Sequence, residues 1–293
     1  MAEKLKYFVN GQFRESKTDK WYDLHNPSTG EITGQAPCCT NDEVLEAIAA
    51  AKAAYPGWSA TPAIKRAQIL YRVRELILER MDELTMSVAK ENGKVWAESE
   101  GDVLKAKEGT ELATQVPSLM MGESIMDASR GYDTVKYREP LGVFAGIVPV
   151  NFPAMIPFGW MAPTCIAAGN TLVLKAASLT PKTAMLFAQL YKDAGVPDGV
   201  INVVTCSRNE ISTILEHPDV KGITFVGSTP VGLKIYEKAA ANGKRCQALC
   251  QAKNHALVME DCALERTVAG VINSAFGCAG QRCMALSCCV VQD

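Results

Sequence analysis

The chain has 293 residues, 48% of them apolar, a formal net charge of -2 and a sequence pI near 6.0. That is enough for one large or two ordinary domains with a sizeable core. So even a charge balance leaves no electrostatic footprint for nucleic acid or an acidic membrane surface, and neither is expected as a partner.

The first stretch, Met1 to Lys20, is polar and mixed in charge. It does not read as a signal peptide or transit segment, and a cytoplasmic protein is expected. Eleven cysteines are scattered or adjacent, as in Cys38-Cys39 and Cys288-Cys289, with no pair of C-x-x-C motifs. That argues against a zinc site and a secreted disulfide framework, and for reduced thiols and no metal.

Phe8-Val9-Asn10-Gly11-Gln12-Phe13 reads as a hairpin with an Asn-Gly turn. His25–Glu31 is turn-rich. Thr40-x-x-Glu43 is a capping box opening a helix with Val44, Ala47, Ile48 and Ala51 on one face. Pro56-Gly57-Trp58 is expected to end it. A second helix follows Pro62, with Ile69, Val73, Leu76, Ile77 and Leu84 as its core-packing face. Glu91-Asn92-Gly93-Lys94 breaks it, and another begins near Trp96. Tyr132 to Arg138 alternates like an exposed or half-buried strand.

Leu141 to Leu174 holds no charged residue, but four prolines and four glycines interrupt it, which a membrane-spanning helix would not tolerate. It reads instead as buried α/β core. Expected strands are Leu141–Val148, Thr171–Leu174, Val200–Val204 and Gly222–Val226. Expected helices are Ala154–Ala168, Lys182–Ala194, Ile211–Glu216 and Pro230–Ala241. This alternation implies a parallel sheet with crossovers, a layout that binds nucleotides at strand C-terminal ends.

Four places carry candidate chemistry. Phe225-Val226-Gly227-Ser228-Thr229-Pro230-Val231-Gly232 runs from strand through a Gly turn to a helix start. It is either a phosphate-facing turn or an ordinary tight one. Asn151, in Pro149-Val150-Asn151-Phe152-Pro153, falls at the C-terminal end of the first buried strand. Its amide either serves an oxyanion or satisfies the turn. Lys175 ends the next strand, facing a ribose or phosphate, or simply solvent. Cys283 sits in Phe276-Gly277-Cys278-Ala279-Gly280-Gln281-Arg282-Cys283-Met284-Ala285, among small residues. Arg282 is a neighbouring cation expected to favour its thiolate. Most cysteines are inert core residues, and Cys278 is read as one of the loop's small residues.

Together these motifs resemble the aldehyde dehydrogenase superfamily from about Leu5 to Val291. The resemblance rests on Pro149–Pro153, Gly169-Asn170-Thr171-Leu172-Val173-Leu174-Lys175, Phe225-Val226-Gly227-Ser228 and Gly280-Gln281-Arg282-Cys283. Within it, Ala252-Lys253-Asn254-His255, Phe152–Pro157, Ser118-Leu119-Met120-Met121-Gly122-Glu123 and Gly280–Ser287 look like methylmalonate-semialdehyde dehydrogenases, which are acylating and CoA-dependent. The resemblance implies Cys283 as nucleophile. By the same resemblance, Asn151 and the Cys283 N–H would form the oxyanion hole. It further implies that Val148, Val150, Lys175 and Ser228 contact NAD or NADP, with Ser178 at the ribose. The implied fold is α/β. A parallel-sheet dinucleotide-binding domain comprises 1–122 and 141–250, an oligomerisation strand segment lies at 123–140, and a catalytic domain opens at 251–293. The resemblance further implies a small aldehyde as substrate, CoA as acyl acceptor, and a homo-oligomer, a tetramer, for the complete protein.

Several departures from the family pattern set further expectations. Members that prefer NAD usually carry Glu three residues after the strand-end lysine; here it is Ser178, so choice between NAD and NADP is expected to be lax. An Arg common nearby in the semialdehyde subfamily is Leu179. Hydrolytic members carry a Glu four residues before the lysine aligned with Lys253; here it is Leu249, so a thiol is expected to release the acyl group better than water. The later part of the family's catalytic domain is missing, so the chain looks truncated and is expected to be inactive alone. A hydrolytic aldehyde dehydrogenase and a truncated dinucleotide-binding protein remain the alternatives.

Overall fold

The computed structural model describes residues 3–292. Strands β1 (Tyr7–Val9) and β2 (Gln12–Arg14) form the expected hairpin, with Asn10 at φ 51 and Gly11 at φ 70. Two successive positive φ angles are what a tight two-residue hairpin turn needs. The turn-rich His25–Glu31 region links β3 (Trp21–His25) to β4 (Ile32–Pro37), an antiparallel pair the sequence reading did not anticipate.

Helix α1 (Asn41–Ala60) opens on the expected capping box. The Thr40 hydroxyl accepts the Glu43 N–H at 3.3 Å, and the Glu43 carboxylate accepts the Thr40 N–H at 2.8 Å. Val44, Ala47, Ile48 and Ala51 are buried as predicted. The helix does not end at Pro56-Gly57-Trp58; it continues to Ala60 with Pro56 inside. Trp58 is only 2% exposed, and its indole N–H donates to the Ile166 carbonyl at 3.0 Å. This tertiary anchor holds the last turn across the bond that proline cannot make.

The single helix expected after Pro62 is two, α2 (Ala63–Glu79) and α3 (Met81–Asn92). They meet at Arg80, which leaves helical geometry while its guanidinium pairs with Asp193 at 2.5 Å. Leu84 therefore belongs to α3, yet it is buried as expected. Next come α4 (Trp96–Ala113), the short α5 (Val116–Leu119), and a hairpin of β5 (Glu123–Ser129) and β6 (Tyr132–Lys136), exposed at every residue.

After β7 (Val143–Ile147), the expected helix over Ala154–Ala168 starts as a π turn, Ile156–Met161, and becomes α6 (Ala162–Ala167). Helix α4 crosses this turn closely: a Cβ on Gly109 would strike the Gly159 carbonyl. Such backbone contact, together with the donor missing at Pro163, favours the wider turn. The chain continues through β8 (Thr171–Lys175), α7 (Lys182–Asp193), β9 (Ile201–Val204), α8 (Arg208–Glu216), β10 (Val220–Val226), α9 (Thr229–Ala241) and β11 (Arg245–Leu249). It closes with β12 (Asn254–Val258), α10 (Leu264–Phe276), a 3₁₀ turn at Gly277–Gly280 and β13 (Leu286–Val291).

The main sheet has the order β11-β10-β7-β8-β9-β1-β2. Its first five strands are parallel, and β1 runs antiparallel to both β9 and β2. Side chains alternate between its two faces. Leu172, Leu174 and Val203 join the core under α2, α3, α4 and α7; Ala145, Ile147, Val173 and Val204 join the core under α1, α8 and α9. Strand order reverses beside β7, since β8 and β9 lie on one side and β10 and β11 on the other. In such sheets ligands bind in the crevice outside the strand C-terminal ends at that reversal. Strands β12 and β13 form a separate parallel pair. Among the described residues no helix is long and apolar enough to cross a membrane.

Candidate active site

The turn after β7 lies at the sheet's C-terminal edge and carries Val148, Val150 and Asn151. Val148 is buried, and its N–H donates to the Lys175 carbonyl at 3.4 Å. The Val150 carbonyl accepts the Asn92 amide at 2.9 Å and the Thr180 hydroxyl at 3.4 Å. The turn rests on a buried ion pair. Lys94 Nζ lies 3.1 Å from Asp102 Oδ2 and 3.9 Å from the Phe152 ring centroid, while Asp102 Oδ1 accepts the Met155 N–H at 2.7 Å. Burial raises the Asp102 pKa, and the Lys94 charge and the Met155 N–H oppose that rise.

Asn151 reaches the cysteine loop. Its Nδ2 donates to the Gln281 carbonyl at 2.7 Å, two residues before Cys283, while its Oδ1 is buried with no partner among the described residues. An amide nitrogen has two hydrogens, so one can orient the group while the second serves a ligand. From the other side, Asn254 Nδ2 donates to the Cys283 carbonyl at 3.1 Å and the Ala285 carbonyl at 3.0 Å. Cys283 is half-buried, with Asn151 bonded to the backbone two residues before it and Asn254 bonded to its own carbonyl.

Arg282 does not turn to Cys283 as the sequence reading expected. Its Nε donates to Cys278 Sγ at 3.2 Å, and its guanidinium lies 3.6 Å from Glu98. The Glu98 carboxylate also accepts the Cys278 N–H at 2.6 Å. Cys278 is buried at φ 50, followed by Ala279 at φ 54. A left-handed backbone at two non-glycine residues tightens the loop, and the guanidinium closes back on it. The cation serves the loop's shape, and Cys278 is more than a space-filling small residue.

The other predicted residues line the same sheet edge. Lys175 ends β8 and pairs with no carboxylate among the described residues; burial lowers its pKa. Nearby Cys206 is pushed up to about 12 by burial, so it stays a neutral thiol and provides no counter-charge. Ser178 is half-buried in the turn before α7, beside exposed Leu179. Ser228 is the exposed N-cap of α9, and its hydroxyl makes no capping bond. Leu249, at the end of β11, carries no ionisable group, and its carbonyl accepts the Gly227 N–H at 3.1 Å.

Between α8 and α9 runs a cleft of about 690 Å³, lined by Arg208, Ile211, Leu215, Val231, Lys234 and Ile235 among others. Sequence reading missed it, although both helices were foreseen; crossover helices flanking a strand reversal were the available signal. It also missed Asn92, Glu98 and the role of Asn254, because a side chain's distant partner leaves no local pattern. Lys175 and the Ser228 hydroxyl, each without a side-chain partner among the described residues, the α9 N-terminus and the largely apolar cleft rimmed by Arg208, Lys234, Lys238 and Glu237 could hold a dinucleotide's phosphates, ribose and base.

The aldehyde dehydrogenase family model matches residues 13–293. The chain is 45% identical over 287 residues to the acylating, mitochondrial methylmalonate-semialdehyde/malonate-semialdehyde dehydrogenase of Rattus norvegicus, covering 98% of this chain and 54% of that protein. It is 46% identical over 286 residues to malonate-semialdehyde dehydrogenase 2 of Geobacillus kaustophilus (strain HTA426), covering 98% and 59%. The crystal structure of methylmalonate-semialdehyde dehydrogenase from Oceanimonas doudoroffii superposes with a TM-score of 0.96 at 40% identity, covering 100% of this chain and 59% of that one. A Sinorhizobium meliloti 1021 protein complexed with NAD superposes with a TM-score of 0.96 at 36% identity, covering 99% and 59%. The chain thus spans a little over half the length of these relatives. Matched in this way along nearly all of its own length, the chain belongs to the aldehyde dehydrogenase family.

Proposed function

We propose that the protein carrying this sequence oxidises an aldehyde, methylmalonate or malonate semialdehyde, with NAD or NADP, through a thioester on Cys283 that passes to CoA. The carrying observation is the 2.7 Å bond from Asn151 Nδ2 to the Gln281 carbonyl, which brings an amide donor to the cysteine loop at the sheet edge where nucleotides bind. The names of the relatives support the semialdehyde and the acylating outcome. The proposed division is a dinucleotide-binding domain at 1–122 and 141–250, with catalytic residues at 251–293. The fully exposed β5–β6 hairpin supports homo-oligomer formation.

Val148, Val150, Lys175, Ser178 and Ser228 would hold the dinucleotide, with the α8–α9 cleft taking its base. The Cys283 thiol loses its proton to solvent and the sulfur adds to the aldehyde carbon. The resulting alkoxide is held by the second Nδ2 hydrogen of Asn151 and by the Cys283 N–H. A nicotinamide held by these residues would supply the hydride acceptor, leaving the acyl group as a thioester on Cys283 Sγ. The CoA sulfur then attacks that carbon, the bond to Cys283 breaks, and the proton lost by CoA balances the one the cysteine regains. Leu249 offers water no general base, which favours the thiol.

The test is NADH formation by the purified protein with NAD, CoA and a panel of short aldehydes and semialdehydes. Turnover should rise steeply with CoA and vanish in Cys283→Ala. Unchanged turnover in that variant would remove the assignment. An equal rate without CoA, with free acid as product, would select the hydrolytic alternative.

A further inference from the structure

The end of α3 reads in sequence only as a helix break, yet it carries two working side chains. Glu91 is buried, and its carboxylate accepts the N–H groups of Lys182 at 2.8 Å and Thr183 at 3.0 Å, capping α7. Asn92 is 7% exposed and reaches elsewhere. Its Nδ2 donates to the Val150 carbonyl at 2.9 Å and to Gln281 Oε1 at 3.4 Å. Val150 precedes Asn151, and Gln281 also supplies the carbonyl on which Asn151 Nδ2 rests. Both side-chain contacts of Asn92 are donations, since its Oδ1 is buried with no partner among the described residues. Its backbone is held as well: the helix stops at Gly93, whose N–H donates to the Ala89 carbonyl at 3.0 Å.

We propose that Asn92 is a positioning residue: its amide ties the Val150 carbonyl to the Gln281 side chain and so keeps Asn151 and the Cys283 loop in register. Its relevance to catalysis rests on the function proposed above; the tie itself does not. A neutral hydrogen bond adds little to global stability, whereas a donor displaced by about 1 Å from a reacting atom can slow a reaction about a hundredfold. Asn92 is therefore expected to matter far more for the geometry of the two loops than for folding.

Hydrogen exchange on the whole chain tests this with three variants. Asn92→Leu keeps the bulk without donors, Asn92→Asp keeps the shape without donors, and Asn92→Gln keeps the donors on a longer arm. In the first two, amides of 150–152 and 277–285 should exchange faster together, by about fivefold, the effect of one neutral hydrogen bond lost. Segments 83–90 and 182–186 should not change, and Asn92→Gln should recover most of the protection. In the active protein, kcat should fall about a hundredfold with KM for the dinucleotide within about twofold of wild type. Faster exchange confined to α3 and α7, or in only one of the two loops, would overturn the tie. If Asn92→Leu fails to fold, Asn92→Asp decides. Wild-type protein that binds neither NAD nor NADP would end the proposed function, and the exchange pattern would still support or overturn the tie.

Discussion

The sheet body from β7 to α9 and the segment from β12 to β13 obey the same local rules with opposite outcomes. Each joins parallel strands through a helix. In the body, β8 buries Thr171 to Leu174, and α7 buries Phe187, Ala188, Leu190 and Tyr191. In the later segment, α10 carries Leu264, Val268, Ile272 and Phe276 at four-residue spacing, yet each is more than half exposed and the helix buries nothing. No residue of β12 or β13 is buried. Periodicity therefore marks which face of an element seeks cover; only the surrounding chain decides whether cover is there. The candidate site lies on the seam, taking Asn151 from the closed region and Cys283 from the open one.

The widest expected gap between the regions is in stability. Phe158 stacks on Phe187 at a centroid distance of 4.7 Å and lies 5.5 Å from Tyr191. Phe158→Ala should cost about 3–5 kcal/mol in urea unfolding. Phe276→Ala on the open helix should cost less than about 0.5 kcal/mol. Equal losses would mean that α10 is covered in solution.

Charge burial sharpens the same contrast. Asp102→Ala strands the Lys94 ammonium with no exposed surface and should cost about 3 kcal/mol or more. Breaking the exposed Lys105–Glu108 pair should cost less than about 1 kcal/mol. The double variant Lys94→Met, Asp102→Leu should recover much of the first loss, because a matched apolar pair leaves no buried charge. No recovery would point to the Asp102 bond with the Met155 N–H as the larger part.

Cofactor choice tests the closed region's edge. Ser178 can donate to a ribose hydroxyl and does not repel a 2′-phosphate, whereas a carboxylate would accept from the hydroxyl and repel the phosphate. Ser178→Glu should therefore raise the preference for NAD over NADP by about tenfold, or about 1.4 kcal/mol, in fluorescence titrations. A wild-type preference of about a thousandfold would show that residue 178 does not govern the choice.

A pH slope separates the regions more gradually. Burial pushes the Glu91 carboxyl up from 4.5 to about 7, against the pull of the Lys182 and Thr183 N–H groups. A raised carboxyl pKa means the folded state binds the proton more tightly. Its stabilising share is thus full below pH 4.5 and is lost as pH rises through about 7. The slope should not exceed about 1.4 kcal/mol per pH unit, and Glu91→Gln should remove it from urea unfolding measured between pH 5 and 8. An unchanged slope in that variant would place its source elsewhere.

Local chemistry alone determined much of this protein. The Asn10-Gly11 turn, the Thr40–Glu43 box, the parallel strands and the cysteine and asparagine turns were legible because each is written in a few adjacent residues. Tertiary structure decided the rest. It carried α1 through Pro56 by anchoring Trp58 on Ile166, split α2 from α3 where Arg80 meets Asp193, and turned Arg282 from Cys283 toward Cys278 and Glu98. It also gave Asn92 partners at Val150 and Gln281. Each of these outcomes depends on a hydrogen bond or ion pair whose direction is set by packing. A period or a cap in the sequence specifies a residue's neighbours along the chain, while such bonds join groups that only the folded chain brings together.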